Sequence, residues 1–200
     1  MPHRNCGLEA LESAIRNGLS LVDKWQDLAG KEGIIVAGLD AQNSSGWNAP
    51  VDGQELVYEL VELLKSRYPV DPQRVYRFGH SAGAVFAMIL GFVESEYFAA
   101  VAVHAGAFRD EADYSVVNYA GRKIPLAIFV GVDDRFFPLE DVRKTREALV
   151  KVGFSVELNE IPNHDHWYYD MAPKINRNAS DFLKSRRLDS DPKYQPRLFR

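Results

Sequence analysis

The pentapeptide Gly79-His80-Ser81-Ala82-Gly83 lies between two segments of opposite character. Residues 74–78, which follow a turn signal at Asp71-Pro72, form a β-branched and aromatic run typical of a strand. Residues 82–90 are apolar and are good helix formers. A serine between a strand and a helix lies on a sharp turn that holds its hydroxyl clear of the backbone, and glycines leave room for that turn. The sequence therefore predicts a strand–turn–helix unit that exposes the Ser81 hydroxyl.

Apolar strands alternate with helical segments along the chain. Besides the strand before Ser81, apolar runs predict strands over 33–38, 98–103, 125–130 and 154–161. Helical spacing predicts helices over 8–31 (interrupted at Gly18), 53–68, 82–90, 139–152 and 173–185. This alternation predicts an α/β fold, a mostly parallel sheet of about five or more strands with helices on both faces.

Residues 1–185 are predicted to form a single domain without a large cap, because the connection between strands at residues 105–124 is too short to hold one. Residues 186–200 mix charges with two prolines and are predicted to be an exposed C-terminal tail.

Composition excludes several classes of protein. A net charge of −4 and a pI near 5.8 provide no basic field for nucleic acid. No apolar run reaches the roughly 20 residues that span a bilayer, so no membrane partner is expected. Cys6 is the only cysteine, which excludes an intrachain disulfide and favours a reducing, cytoplasmic compartment. The oligomeric state stays open.

In a parallel sheet, functional residues usually lie at the carboxyl ends of the strands, so acid and base candidates are sought there. Residues 131–138, after a predicted strand, hold the adjacent carboxylates Asp133 and Asp134. Asp134, three residues beyond Gly131, is the first choice and Asp133 the alternative. Both are also consistent with turn residues that cap the next helix.

Two histidines follow the last predicted strand, where a base could activate Ser81. His166 is the first choice and His164 the alternative. Of the other histidines, His80 occupies the variable position beside Ser81, His104 ends a strand as a partly buried imidazole, and His3 is terminal. The resulting chain order of serine, aspartate and histidine is an order that enzymes with this type of sheet use. A serine hydroxyl needs such a base, and the base needs an acid that orients it.

Together these motifs resemble the α/β-hydrolase superfamily. Residues 71–83, 131–138 and 165–169 are most similar to its esterase and polyhydroxybutyrate-depolymerase-like branch, which includes feruloyl and acetylxylan esterases. The resemblance implies a serine carboxylic-ester hydrolase with Ser81 as nucleophile, His166 as base and Asp134 as the orienting acid. It also implies that the Ala82 N–H is one oxyanion donor and that neither a metal nor a cofactor is needed.

The N-terminus departs from the family pattern. The second oxyanion donor normally follows a central strand, and only residues 1–7 precede the predicted first helix. Residues 3–7 could be that loop, but the strand itself is missing from the prediction. Its loss would separate its two neighbours by about 9.6 Å rather than about 4.8 Å. An N-terminally truncated sequence, which could also have lost a signal peptide, is the favoured explanation. Closure of the flanking strands, or another segment in the slot, are the alternatives.

The substrate is expected to be a small-molecule or polymer-end ester, because without a cap the site would be open and shallow. Trp47 and Trp167 could line an acyl or aromatic pocket, or simply pack over loop backbone. Two other functions stay open. One is a peptidase or thioesterase that uses the same residues, and the other is an inactive relative that acts as a binding protein.

Overall fold

The computed structural model describes residues 6–13, 18–42, 46–47 and 52–196, which form one six-stranded sheet with helices. The strands are β1 (Cys6–Ser13), β2 (Ile35–Asp40), β3 (Val70–His80), β4 (Ala100–His104), β5 (Leu126–Gly131) and β6 (Val156–Ile161). The helices are α1 (Gly18–Glu32), α2 (Gln54–Arg67), α3 (Ala82–Val93), α4 (Glu111–Ser115), α5 (Leu139–Lys151) and α6 (Tyr168–Lys184), with a 3-10 turn at Val116–Tyr119.

All strand pairs are parallel, in the order β2-β1-β3-β4-β5-β6. The prediction of a parallel α/β fold is confirmed. Because every strand runs the same way, the carboxyl ends of β3, β4, β5 and β6 share one edge of the sheet. Within the described ranges, each helix is too short or too polar to cross a membrane.

Strand β1 corrects the prediction for the N-terminal region. Residues 8–13 were predicted to begin a helix, but they lie in β1 and pair with β2 on one side and β3 on the other. The predicted gap beside β3 is therefore filled. Main-chain groups of two buried strands that face a slot need a strand between them. The helical spacing of Leu8 and Leu11 covers too few residues to favour a helix over this strand pairing.

The register of β1 also corrects the expected oxyanion loop at residues 3–7. Cys6 and Gly7 begin β1, and Cys6 pairs with Val70 at the end of the sheet away from Ser81. Residues 3–5 lie outside the described ranges. At the other end of the strand, Ser13 pairs with His80. The carboxyl end of β1 therefore lies beside the turn that carries Ser81.

The two faces of the sheet carry separate apolar cores, as expected for a sheet covered on both sides. On one face, α2, α3 and α5 contribute buried residues that include Val57, Ala84 and Val142. On the other face, α1 and α6 contribute buried residues that include Trp25 and Ile175. This sandwiching leaves the carboxyl edge of the strands as the place where loops from several strands meet.

The segment after α6 is exposed over most of residues 186–196, and some of its residues contact the rest of the domain. Leu188 is only 6% exposed, and its N–H donates to the Gln73 carbonyl. Tyr194 stacks on Tyr58 of α2 with ring centroids 3.9 Å apart. These two contacts attach the segment to β3 and α2.

Candidate active site

Ser81 lies in the turn between β3 and α3, in a backbone conformation that residues other than glycine rarely adopt. Its φ is 60° and its ψ is −124°, which places it in a sparsely populated region. The Ser81 N–H donates a 3.0 Å hydrogen bond to the His104 carbonyl, and the Ala84 N–H donates one of 2.9 Å to the Ser81 carbonyl. The main chain on both sides thus holds the turn at the carboxyl edge of the sheet.

Gly79 explains how β3 and α3 approach so closely around this turn. A Cβ added at Gly79 would lie 2.5 Å from the Gly83 carbonyl carbon and would also collide with the Gly83 oxygen. Both are backbone atoms, so no side-chain movement could relieve the clash. The close approach agrees with the sequence argument that a side chain here would crowd the strand against the helix.

Asp134 lies in the loop after β5, with its side chain fully buried. One carboxylate oxygen, Oδ1, accepts the N–H groups of Phe136 and Phe137, each at 2.8 Å. The other, Oδ2, lies 3.0 Å from His166 Nδ1. Burial alone would raise the pKa of Asp134, but the hydrogen bonds from His166 and from the two backbone N–H groups outweigh it and lower the pKa. The carboxylate is therefore ionised at neutral pH.

His166 lies in the loop between β6 and α6 and joins Asp134 to Ser81. Its Nε2 is 3.0 Å from Ser81 Oγ, and its Nδ1 is the atom that contacts Asp134. An ionised carboxylate can only accept a hydrogen bond, so Nδ1 carries the proton and Nε2 is left as an acceptor for the Ser81 hydroxyl. The arrangement can draw a proton from the serine and stabilise the resulting imidazolium.

The structure separates the first choices from the alternatives of the sequence analysis. Asp133 is exposed, and its backbone N–H donates to the His164 carbonyl. His164 directs its Nε2 toward His104 at 3.0 Å rather than toward Ser81. The continuous hydrogen-bonded line therefore consists of Ser81, His166 and Asp134, with Asp133 and His164 outside it.

His80 and His104 are buried neighbours of this line to which the sequence analysis gave no catalytic role. His80 Nδ1 lies 2.9 Å from His104 Nδ1, and the His80 ring centroid is 5.0 Å from that of His166. Burial lowers the pKa of His80 to about 4 and that of His104 well below its ordinary value. Their positions at the ends of β3 and β4 were a signal that they would reach the same edge as Ser81.

Two exposed aromatic side chains flank the His166 ring. Phe136 and Trp167 are 59% and 58% exposed, and their ring centroids lie 4.7 and 5.8 Å from that of His166. They border an open cleft of about 1000 Å³ formed by the loops after β5 and β6. Large exposed aromatics beside a reactive group are suited to contact an apolar part of a ligand.

Trp47 contacts a side chain of a helix, which is neither of the two roles that the sequence analysis gave it. Its ring stacks on Phe86 of α3, with centroids 4.4 Å apart and planes 11° apart. As for metal ligands, the described ranges contain no group of three or more His, Cys, Asp or Glu side chains arranged to hold an ion.

A protein-family model for the dienelactone hydrolase family matches residues 42–186. The match spans the turn with Ser81 and the loops with Asp134 and His166. The chain belongs to the dienelactone hydrolase family. Its parallel α/β architecture is the fold of the solved esterase structure described below.

A curated relative and several solved structures resemble this family member. S-formylglutathione hydrolase of Rattus norvegicus is 27% identical over 156 residues, which are 63% of this chain and 54% of that protein. The chain thus spans about half the length of that relative.

Among solved structures, esterase PE8 superposes with a TM-score of 0.73 at 17% identity, covering 90% of this chain and 93% of the other. An S-formylglutathione hydrolase from Agrobacterium tumefaciens gives a TM-score of 0.66 at 19% identity, covering 93% and 86%. At these identities the likeness shows the fold.

Proposed function

We propose that this enzyme is a serine hydrolase that cleaves carboxylic esters through an acyl-enzyme on Ser81. The observation that supports it most is the line from Ser81 Oγ through His166 to the buried Asp134 carboxylate, with both contacts at 3.0 Å. Three side chains from the ends of three different strands meet there, in the arrangement that nucleophilic catalysis by serine requires.

In the proposed reaction, His166 Nε2 takes the hydroxyl proton as Ser81 Oγ forms a bond to the ester carbonyl carbon. The tetrahedral intermediate collapses, the C–O bond to the alcohol breaks, and His166 gives its proton to the leaving oxygen. Water then attacks the acyl-enzyme with His166 again as the base, which releases the acid and restores Ser81. Asp134 holds the imidazole tautomer and stabilises its charged form throughout.

The oxyanion of the intermediate needs N–H donors near Ser81. Ala82 begins α3, so its N–H is one of the first-turn amides that have no acceptor within the helix. Loss of one such donor costs roughly 3 kcal/mol of transition-state stabilisation. The second donor is expected at the carboxyl end of β1, because Ser13 pairs with His80 directly before the turn.

We further propose small acyl groups or exposed polymer ends as the substrate class. The connection between β4 and β5 contains only the short helix α4 and one 3-10 turn, so the described chain forms no large cap over Ser81. The exposed rings of Phe136 and Trp167 offer a surface beside His166, the group that protonates the leaving alcohol. Because no large cap among the described residues encloses a long acyl chain, a series of p-nitrophenyl esters should be cleaved fastest with short acyl chains. A maximum rate with long acyl chains would contradict this.

Thioester hydrolysis is a second candidate for the same site. The observation in its favour is the rat relative, which is named for S-formylglutathione. The narrower likeness to polyhydroxybutyrate-depolymerase-like esterases is also a proposal, supported by residues 131–138 and 165–169.

Matched substrates and two serine variants test the proposal. Wild type, Ser81→Ala and Ser180→Ala would be assayed on p-nitrophenyl acetate, an acetyl thioester and a peptide amide. Ser180 is a fully buried serine of α6 and controls for the loss of a serine hydroxyl elsewhere. We expect ester turnover that is abolished in Ser81→Ala and retained in Ser180→Ala. Equal turnover by wild type and Ser81→Ala would contradict the proposal, and faster thioester cleavage would favour the second candidate.

A further inference from the structure

Three histidines outside the Ser81–His166–Asp134 line form a buried chain of their own, here called the histidine chain. It consists of His80, His104 and His164, which are 6%, 0% and 5% exposed. His80 Nδ1 lies 2.9 Å from His104 Nδ1, and His104 Nε2 lies 3.0 Å from His164 Nε2. Both ring nitrogens of His104 are therefore engaged, each with a different neighbour.

The histidine chain joins the loops that carry the reactive residues. His80 directly precedes Ser81, and His104, at the end of β4, also accepts the Ser81 N–H with its carbonyl. At the other end, His164 lies two residues before His166 in the same loop. A single imidazole thus bridges the turn of the nucleophile and the loop of the base, which come from strands that are not neighbours in the sheet.

The number of protons on the three histidines determines which nitrogen donates in each contact. Burial lowers the pKa of all three imidazoles, and each is neutral at neutral pH. A neutral imidazole has one N–H donor and one acceptor nitrogen. The two contacts hold one proton each, so the third N–H lies on an outer nitrogen, either His80 Nε2 or His164 Nδ1. In both cases His104 donates at one nitrogen and accepts at the other.

We propose that His104 is a positioning residue, which holds the Ser81 turn and the His166 loop at the separation that their 3.0 Å contact needs. The role rests on the proposed function. Side chains on separate loops meet at hydrogen-bond distance only if the loops are fixed relative to one another, and a misplacement of about 1 Å can cost roughly 100-fold in rate. The Tyr168 ring packs against both His80 and His104, with centroids at 5.4 and 5.8 Å, and buttresses the chain.

Three variants test this role. His104→Phe keeps an aromatic ring in the site but removes both hydrogen bonds. His104→Gln returns a side chain with one donor and one acceptor, and it should rescue part of the loss. Tyr168→Phe is the matched control, because it removes a buried hydroxyl that bonds to Asn176, next to the same rings but outside the histidine chain.

The first readout is the NMR resonance of the His166 Nδ1 proton, which is hydrogen bonded to Asp134 and can be assigned with His166→Gln. We expect His104→Phe to shift or broaden this resonance, His104→Gln to move it back toward the wild-type position, and Tyr168→Phe to leave it unchanged. An unchanged resonance in folded His104→Phe would overturn the proposal. If that variant does not fold, His164→Phe, which removes one contact of the chain, is read in the same way.

The second readout is kinetic. On p-nitrophenyl acetate we expect kcat of His104→Phe to fall roughly 10- to 100-fold with KM changed less than about twofold, since substrate contacts are untouched. Wild-type kcat in this variant would overturn the proposal. The NMR readout needs no substrate. A wild type that neither cleaves esters nor reacts with a fluorophosphonate therefore contradicts the proposed function, while the resonance still decides the role of His104.

Discussion

Ser81 and His166 face each other at 3.0 Å, and main-chain contacts hold both of their loops, but a buried carboxylate orients only the His166 ring. The Ser81 turn is fixed mainly by its own backbone, through a positive φ, a main-chain hydrogen bond to His104 and the close approach of Gly79 to Gly83. The His166 loop also has main-chain restraints, namely the hydrogen bond from the Asp133 N–H to the His164 carbonyl and the close approach of Gly131, and the Asp134 carboxylate orients its imidazole in addition. The proposed nucleophile is thus positioned mainly by the main chain of its turn, whereas the proposed base also depends on a side-chain hydrogen bond that one substitution can remove.

The largest expected effect is on the base side. In Asp134→Asn, the amide oxygen can still accept the N–H groups of Phe136 and Phe137, while the amide nitrogen faces His166 Nδ1. That donor forces the imidazole into the tautomer with its proton on Nε2, which cannot accept from Ser81. We expect kcat to fall by roughly 10⁴-fold with little change in unfolding temperature.

Asp133→Asn is the control for this variant, because Asp133 is the adjacent exposed carboxylate. Steady-state kinetics on one short ester compares the two. A larger loss in Asp133→Asn than in Asp134→Asn would show that the wrong carboxylate has been assigned to His166.

Two glycine variants compare the two regions directly. Gly79→Ala would force the Ser81 turn apart, and we expect the free energy of unfolding to fall by about 3 kcal/mol or more. Gly131→Ala would push its Cβ against the backbone of the His166 loop, 2.5 Å from the His164 carbonyl carbon. Because this clash falls on a loop rather than on a helix, we expect a stability loss of about 1–2 kcal/mol but a fall in kcat of roughly 100-fold.

Urea unfolding and kcat, measured for both variants, decide between these expectations. If Gly131→Ala lost more stability than Gly79→Ala while keeping its kcat, the expectation that the loop after β6 yields more easily than the turn between β3 and α3 would be wrong.

We expect acid to lower the free energy of unfolding through His80, the residue directly before Ser81. Its pKa is lowered from 6.5 to about 4 in the folded protein by burial and by the nearby His166. The unfolded chain therefore binds a proton that the folded chain does not, and stability is lost as the pH falls from about 6.5 toward 4. For this group we expect a loss of about 2 kcal/mol between pH 7 and pH 5.

Urea unfolding at pH 7 and pH 5 measures this loss, with His80→Asn as the comparison. The variant should lose about 2 kcal/mol less than wild type over the same interval. The buried His104, whose pKa is also lowered, adds to the acid sensitivity of both proteins. An equal pH dependence in wild type and variant would show that His80 is not held neutral by the fold.

The smallest expected effect is at the aromatic rim. Phe136→Ala removes an exposed ring next to His166 while the Phe136 backbone N–H to Asp134 is retained. We expect KM to rise a few-fold for esters of aromatic alcohols, with kcat within about twofold and stability within about 0.5 kcal/mol. A kcat loss as large as that of Asp134→Asn would mean that the ring positions the imidazole rather than contacting the substrate.

Local sequence patterns were sufficient to predict much of the fold and to select the candidate residues. The turn with Ser81 and the strands before each loop are short-range features, and their order follows from the parallel sheet. Strand β1 was not predicted, because its pairing satisfies the main-chain groups of β2 and β3, which are distant in sequence. This long-range effect outweighs the helical spacing of Leu8 and Leu11. The choice between Asp133 and Asp134 depends on which side chain of one turn faces inward, which spacing alone does not determine. The contact of His104 with His164 could not be predicted, because it depends on how loops from different strands are arranged in space.

Rapid-quench mass spectrometry of wild-type protein mixed with p-nitrophenyl acetate tests the central claim most directly. The account predicts an early burst of p-nitrophenol together with an acetyl group on the peptide that contains Ser81, and slower decay of this adduct in His166→Gln. Hydrolysis that proceeds with no acetylated Ser81 at any time, or with the acetyl group on another residue, would contradict it.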